Sequence, residues 1–206
     1  MELKELRKAD ERQAIHFAAV GMHFDWYLSS PLLLNLYSRY FWYLEYNRAT
    51  QIIVAYEGDT LAGFLLAEIK GEKHLRQSWW RKVYVKVFDA MQHIFSPDGG
   101  TLYEQTNAEM LEKYKKLYSP DGEIVFLAAN PDVKTKGIGT LLLNELERRE
   151  PGKEIYLFTD DSCTYQFYEH RGFERYREKD IILKLPEKKA PMKCLLYRKK
   201  IEAVTQ

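Results

Sequence analysis

Cysteine is scarce. Cys163 and Cys194 are the only two in 206 residues, and they form no CxxC pair, which leaves neither a disulfide framework nor a zinc knuckle. The five histidines fall at no metal-type spacing to one another or to a cysteine, so no metal is expected. An excess of one charge is lacking as well: 31 Lys plus Arg face 30 Asp plus Glu, for a formal net charge of +1. No global field draws such a molecule to nucleic acid or to an anionic membrane, and neither partner is expected unless a local patch provides it. Long apolar runs are missing too. The longest uncharged stretch, Trp26 to Ser38, has 13 residues and contains Pro31, short of the roughly 20 that a spanning helix requires. Met1 to Gln13 is studded with charge and lacks the apolar core of a signal peptide. The expectation is a soluble, cytoplasmic protein.

What is present is an ordinary globular composition, 46% hydrophobic and 30% charged, in a chain long enough to bury about 70% of its unfolded surface. Residues 10 to 24 suit one helix. A second begins where Ser30 can cap and Pro31 can take the first helical position, with Leu33, Leu36, Tyr37, Tyr40, Phe41 and Leu44 along one face. Gln51 to Tyr56 and Leu61 to Ile69 read as a hairpin closed by Glu57-Gly58-Asp59-Thr60. From Lys70 to Gly122 the pattern turns helical twice. The first helix carries Trp80, Val83, Tyr84, Val87, Phe88, Met91, Ile94 and Phe95, and the second spans about Asn107 to Tyr118, where Thr106 and Glu109 have capping-box spacing. Ser96-Pro97-Asp98-Gly99 and Ser119-Pro120-Asp121-Gly122 supply turn chemistry after each.

The remainder alternates strand Glu123 to Ala129, helix Gly137 to Arg149, strand Glu154 to Thr159 and helix Thr164 to His170. Strands Phe173 to Leu185 and Met192 to Arg198 follow, around a Pro186 to Pro191 loop. No linker separates these pieces. They predict a single domain over 1–206: an α/β fold with a mixed, mostly antiparallel sheet of about seven strands flanked by helices, interrupted by a helical insertion at 70–122.

The loop after Ala129 presents Lys134, Lys136, Gly137 and Gly139 at the start of a helix. Unpaired amides and the helix dipole make such a terminus an anion site, and glycines let a pyrophosphate approach the backbone. Glycines that merely permit positive φ are the plainer reading of the same loop. The dinucleotide fingerprint fits poorly, because its third glycine is Leu142 and seven residues separate Ala129 from Gly137. The kinase-type phosphate loop is absent, since no Gly-Lys-Ser or Gly-Lys-Thr stands at the required spacing.

Glu123-Ile-Val-Phe-Leu-Ala-Ala-Asn-Pro-Asp-Val-Lys-Thr-Lys-Gly-Ile-Gly-Thr140 resembles motif A of the GNAT superfamily of acyl-CoA-dependent N-acyltransferases, and Tyr168-Glu-His-Arg-Gly172-Phe173 resembles the family's later Tyr-x-x-x-Gly-Phe element. The two occur in the expected order, with one strand between. The resemblance covers 123–199 well and 1–69 weakly. It implies acetyl-CoA as acyl donor, its pantetheine along Leu127, Ala128 and Ala129 and its pyrophosphate on the amides of Lys134, Thr135, Lys136, Gly137, Ile138, Gly139 and Thr140. Lys134 replaces the usual Arg or Gln. Asp161 stands where many members have an asparagine that contacts the cofactor.

The implied activity is transfer of an acetyl group from acetyl-CoA to a primary amine of a small molecule or peptide. Tyr168 falls at the general-acid position, and Glu123, 14 residues before Gly137, at the spacing of a glutamate base. Read without the family, Tyr168 belongs to an aromatic stripe with Gly172 as C-cap and Phe173 as its apolar contact, and Glu123 is a solvated carboxylate. Cys163 is read as structural. A CoA-binding module or sensor without efficient catalysis is the alternative function, and the fold leaves a homodimer open. Ten aromatic residues lie between Phe17 and Tyr46, more than one stripe needs, and Trp26, Tyr27 and Tyr37 are the expected wall of an acceptor pocket on one side, with the inserted helices on the other. The basic stretches Lys70 to Lys86 and Lys184 to Lys200 read as solvated faces, with neutralisation of the cofactor's 3′-phosphate by one of them as the minor alternative.

Overall fold

A computed structural model describes residues 1–26, 28–76, 78–95, 99–184 and 189–203. The chain divides into two compact units, Met1–Lys86 with Ile124–Pro151, and Val87–Glu123 with Gly152–Gln206. Seven strands form one sheet in the order β1-β2-β3-β4-β5-β7-β6.

In the first unit β2 (Gln51–Glu57) and β3 (Thr60–Ile69) make the expected hairpin, in register from Gln51 opposite Ala67 to Glu57 opposite Thr60. Gly58 adopts φ +60° at its turn, the left-handed conformation that tight hairpin loops demand. A short β1 (Glu2–Lys4) pairs antiparallel with β2, Glu2 opposite Tyr56. It escaped the sequence reading because its three exposed residues carry no apolar alternation. Helix α1 (Glu11–Gly21) ends before residue 24, and a 3₁₀ turn occupies Phe24–Trp26. Helix α2 (Pro31–Arg48) starts as expected, with the Ser30 hydroxyl accepting from the Leu33 amide and Pro31 in the first turn.

The core of this unit gathers around Trp42, which is fully buried. Its ring stands edge-on to Phe64 of β3, with centroids 5.0 Å apart, and its indole N–H donates to Glu11 of α1 at 2.9 Å. One side chain thus joins both helices to the sheet. Helix α3 (Trp79–Phe95) is tied to α2 by the Tyr84 hydroxyl on the Leu36 carbonyl (3.0 Å) and to α1 by Arg81 on Glu11 (2.5 Å).

In the second unit β5 (Glu154–Asp160) and β6 (Glu174–Lys184) flank β7 (Lys189–Lys200), both antiparallel to it. The β6–β7 ladder reaches Lys184 opposite Lys189 and includes Pro191 opposite Ile182, so the expected loop to Pro191 is shorter than predicted. Pro191 is tolerated because it lies near the strand's start. Pro186 and the segment Ser96-Pro97-Asp98 lie outside the described residues.

Helix α4 (Gly99–Lys115) begins eight residues earlier than predicted. The proposed capping box at Thr106 and Glu109 is therefore wrong. Thr106 is interior to the helix and buried with Asn107, Met110 and Tyr114, a three-and-four spacing that extends the buried face backwards through two polar residues. The Tyr114 hydroxyl donates to Glu154 at 2.7 Å, and Lys179 of β6 pairs with Glu109 at 2.7 Å. The later turn falls earlier than predicted, at residues 116 and 117; Gly122 already opens β4 (Gly122–Ala129), and Asp121 exchanges two bonds with Glu154 just before it, amide to carbonyl at 2.7 Å and Glu154 amide to Asp121 carboxylate at 2.8 Å.

Trp42→Ala empties the centre of the first unit and strands a partner of Glu11. The expected loss is about 3 to 5 kcal/mol, read as a fall in the denaturant midpoint. A loss under about 1 kcal/mol would mean that another residue organises this core.

Candidate active site

Strand β4 delivers Leu127, Ala128 and Ala129 to the loop before α5 (Ile138–Arg149). The strand's exit is fixed by Asn130, which is buried. Its amide donates to the Ala62 carbonyl (2.7 Å), its Nδ2 to the Leu61 carbonyl (2.9 Å), and its Oδ1 accepts from the Asp132 amide (2.9 Å). On β3, Gly63 leaves no room for a side chain: an added Cβ would lie 2.7 Å from both the Ala128 carbonyl oxygen and Ile138 Cγ2, and 3.2 Å from Ala129 Cα. Strand end and helix start therefore close onto the same point of β3.

Beyond Asn130, Lys134, Thr135, Lys136 and Gly137 are exposed. The Thr135 hydroxyl donates to the Glu57 carboxylate, which ties the loop to the β2–β3 hairpin. Gly137 takes φ +87° as the residue before α5, a conformation that costs glycine little. Ile138 is buried, whereas Gly139 and Thr140 are half-buried. The first helical bond runs from the Leu141 amide to the Gly137 carbonyl at 2.9 Å. Among the described residues, no protein acceptor takes an amide N–H between Lys134 and Thr140. A file of amides at the positive end of a helix, beside two exposed ammonium groups, can hold a phosphate.

Tyr168, Glu123 and Asp161 belong to the second unit. Tyr168 sits on the short helix α6 (Gln166–His170), closed by Gly172 at φ +78°. The Phe173 amide returns to the Tyr168 carbonyl (3.0 Å), and the Phe173 ring meets the Tyr168 ring edge-on at 5.7 Å. That is the Gly172 cap and apolar contact read from the sequence. Among the described residues no hydrogen-bond partner reaches the Tyr168 hydroxyl. Burial, and then the neighbouring Cys163, push its pKa well above the ordinary phenol value, so the phenol stays protonated at neutral pH.

Glu123 is half-buried and accepts from the Tyr156 hydroxyl at 2.9 Å. Asp161 is exposed, but its carboxylate accepts from the Lys193 amide at 2.9 Å, and its own amide donates to the Lys193 carbonyl. Cys163 is half-buried. Burial, and then the nearby Asp160, raise its thiol to about 11, so thiolate is scarce at neutral pH.

Of the expected pocket wall, Tyr27 lies outside the described residues. Trp26 is 51% exposed and stacks on His23 at 4.1 Å. Tyr37 is half-buried against Phe24 (4.8 Å, edge-on), and Phe24 in turn meets Phe41, which meets Phe126 of β4 at 5.3 Å. Trp26 therefore packs on His23 and Tyr37 on Phe24, two different neighbours. Sequence reasoning missed Gly63, Asn130 and Tyr156. Gly63 interrupts an apolar strand, a sign of close backbone approach, and the Asn-Pro dipeptide at Asn130 marks a turn.

A model of the acetyltransferase (GNAT) family matches residues 14–173. The chain belongs to that family. It is accordingly an acyltransferase. Solved structures of GNAT acetyltransferases share its fold at low identity. A histone acetyltransferase HPA2 and related acetyltransferase from Corynebacterium glutamicum is 14% identical, with a TM-score of 0.53 over 99% of this chain and 97% of that one. The ribosomal-protein-S18-alanine N-acetyltransferase of Escherichia coli is 13% identical, with a TM-score of 0.50 over 100% and 96%. An aminoglycoside 6′-acetyltransferase type Ii is 16% identical, with a TM-score of 0.51 over 100% of both chains. No curated protein matches the sequence. Among the described residues no helix is long and apolar enough to cross a membrane, and no cluster of three metal-ligating side chains occurs.

The raised Cys163 pKa has a chemical consequence. Alkylation of Cys163 by iodoacetamide at about pH 8 should be slower than that of free cysteine and climb as pH rises toward about 11. A rate matching free cysteine at neutral pH would show an activated thiol and reopen covalent catalysis.

Proposed function

We propose that this GNAT acetyltransferase carries an acetyl group from acetyl-CoA to a primary amine of a small molecule or peptide in the cytoplasm. The observation that carries the reading is the file of amides from Lys134 to Thr140 with no protein acceptor among the described residues. The Gly137 Cβ position is open, with nothing within 4 Å, so a phosphate can approach the backbone. Lys134 and Lys136 add charge, and Leu127, Ala128 and Ala129 form the strand segment along which the family lays its pantetheine. Asp161 is the weakest member of this set, because the Lys193 amide already engages its carboxylate.

An aliphatic amine with a pKa near 10.4 is almost wholly protonated at pH 7 and must lose a proton before it attacks. We assign that proton to Glu123, whose carboxylate is oriented by the Tyr156 phenol. As the nitrogen–carbon bond forms and the carbon–sulfur bond breaks, the departing thiolate takes a proton from the Tyr168 hydroxyl, and the second proton shed by the acylated nitrogen returns to the Tyr168 oxygen through solvent. Among the described residues no acceptor holds that hydroxyl, so its proton is available to the sulfur. The oxyanion is left to a backbone N–H near Ala129. Trp26, Tyr27 and Tyr37 are assigned to the acceptor. The named acceptors of the fold's relatives run from a ribosomal protein to an aminoglycoside, so the fold alone does not choose between peptide and small molecule.

Acetyl-CoA at about 100 times its Kd should stabilise the protein by roughly 2.7 kcal/mol. The thermal shift should vanish in Gly137→Asp, which sets a carboxylate where phosphate would lie, and an amine panel should release free thiol. An unchanged shift in folded Gly137→Asp overturns the site. A shift without thiol release from any amine overturns the reaction.

Tyr168→Phe should lower kcat by about 10²-fold, the lower end for general-acid loss because a thiolate leaves tolerably unaided, with acetyl-CoA affinity kept. Glu123→Gln should lose most rate near neutrality and recover at high pH, where free amine is abundant. A phenylalanine variant at wild-type kcat, or a glutamine variant whose pH profile parallels wild type, would remove the corresponding role.

A further inference from the structure

The run from Lys70 to Lys86 holds six cations against one carboxylate, Glu72, and nothing in the acetyl-transfer reading uses it. Lys70, Lys73, Arg76, Lys82 and Lys86 are exposed, while Glu72 is engaged by the Gln51 amide at 2.9 Å. The run leads into α3, whose orientation is set by the side chains that hold it. Arg81 bonds Glu11 and lies over the Tyr46 ring at 4.7 Å, Tyr84 bonds the Leu36 carbonyl, and Val85 is buried.

With those residues turned inward, the outward face carries Trp79 (62% exposed), Trp80 (65% exposed) and Val83, and Val87 and Met91 continue the exposed row along the same helix. Lys82 and Lys86 stand one turn apart beside it. Amphipathic helices normally bury the apolar stripe and expose the charged one. Here the apolar stripe faces outward with lysines at its edge, the arrangement of helices that lie in a lipid interface: tryptophan at headgroup depth, aliphatic side chains below, ammonium groups among anionic lipids.

We propose that this face of α3, with the basic run before it, docks the protein on an anionic phospholipid surface. Charge complementarity selects that occupant. A second copy would bring another five exposed cations against the first. Single-stranded nucleic acid would use free aromatic faces, whereas Trp79 and Trp80 stack on each other at 3.8 Å and their neighbours are aliphatic. The net charge of +1 conceals this local concentration, which is why the whole-chain balance argued against a membrane partner. The inference stands apart from the acetyl-CoA reading, since none of these residues is assigned to it.

The test is co-sedimentation of the full chain with phosphatidylcholine vesicles, with and without about one-third phosphatidylglycerol, followed by tryptophan emission in a Trp26→Phe background. Trp42 is fully buried, so a blue shift then reports Trp79 and Trp80. Binding is expected to the anionic vesicles only, to shift the emission to the blue, and to fall away at about 0.5 M salt. Lys82→Glu with Lys86→Glu should weaken it by at least about tenfold, and Trp79→Ser with Trp80→Ser should lower the fraction that sediments with anionic vesicles. Melting temperatures report folding. Should the tryptophan pair destabilise the protein, the exposed lysine pair still decides. Wild type remaining in the supernatant at low salt, equal binding by the lysine variant, tighter binding to a single-stranded RNA homopolymer than to vesicles, or a dimer that the tryptophan variant dissolves would each overturn the proposal.

Discussion

The close approach that only a hydrogen at position 63 permits is the constraint on which the first unit's loop depends. β3 passes so near the end of β4 and the first residue of α5 that a methyl group would collide with a carbonyl oxygen and an isoleucine side chain at once. Packed interiors transmit such a collision instead of absorbing it, because neighbouring atoms have nowhere to go. The displaced atoms would be those of Ala128 and Ile138, the two ends of the loop that exposes the amides. Position 63 therefore sets the geometry of the proposed phosphate loop, which it does not touch.

The second unit rests on a different kind of device, a buried carboxylate. Glu154, at the start of β5, accepts from the Tyr114 hydroxyl and from Arg198, which also reaches Glu174 and lies over the Tyr118 ring. Removing a charge from water is costly unless its lone pairs are filled. Here helix α4 and strand β7 each supply a donor, and the backbone at Glu154 is pinned by Asp121. The Tyr114 phenol, buried and bonded to a carboxylate, is pushed far above its ordinary pKa, so this donor survives any pH at which the protein would work. The arrangement fastens the inserted helix to the sheet at one point, where apolar packing alone would allow sliding.

How far the amino-acid sequence foretells this architecture depends on whether the signal is local. Ser30-Pro31, the Gly58 hairpin, Gly137 before α5 and the Gly172 cap act through a few adjacent bonds, and each appears where residue chemistry places it. The start of α4 was misjudged because Thr106 and Glu109 satisfy a local rule that the tertiary burial of Thr106 overrides. β1 has no pattern of its own and exists because the edge of β2 offers it hydrogen bonds. The stripe on α3 was visible as a period, but a period cannot say whether core or solvent lies beyond it, and Trp80 and Val83 turn out to face outward. Within the candidate site the glycines and Tyr168 were legible. Asn130 and Tyr156 were not, because their significance lies in partners 69 and 33 residues away along the chain.

Asn130 has a kinetic consequence. Its bonds to Leu61, Ala62 and Asp132 order the entrance of the loop during folding, so that ordering is not left to the moment of ligand capture. A loop that must rearrange slows association and loses affinity to the entropy of ordering. A loop already held lets encounter proceed at a rate governed by diffusion and by the exposed lysines nearby. In the proposed phosphate site, selectivity among anionic ligands is then exercised chiefly through how long each one stays.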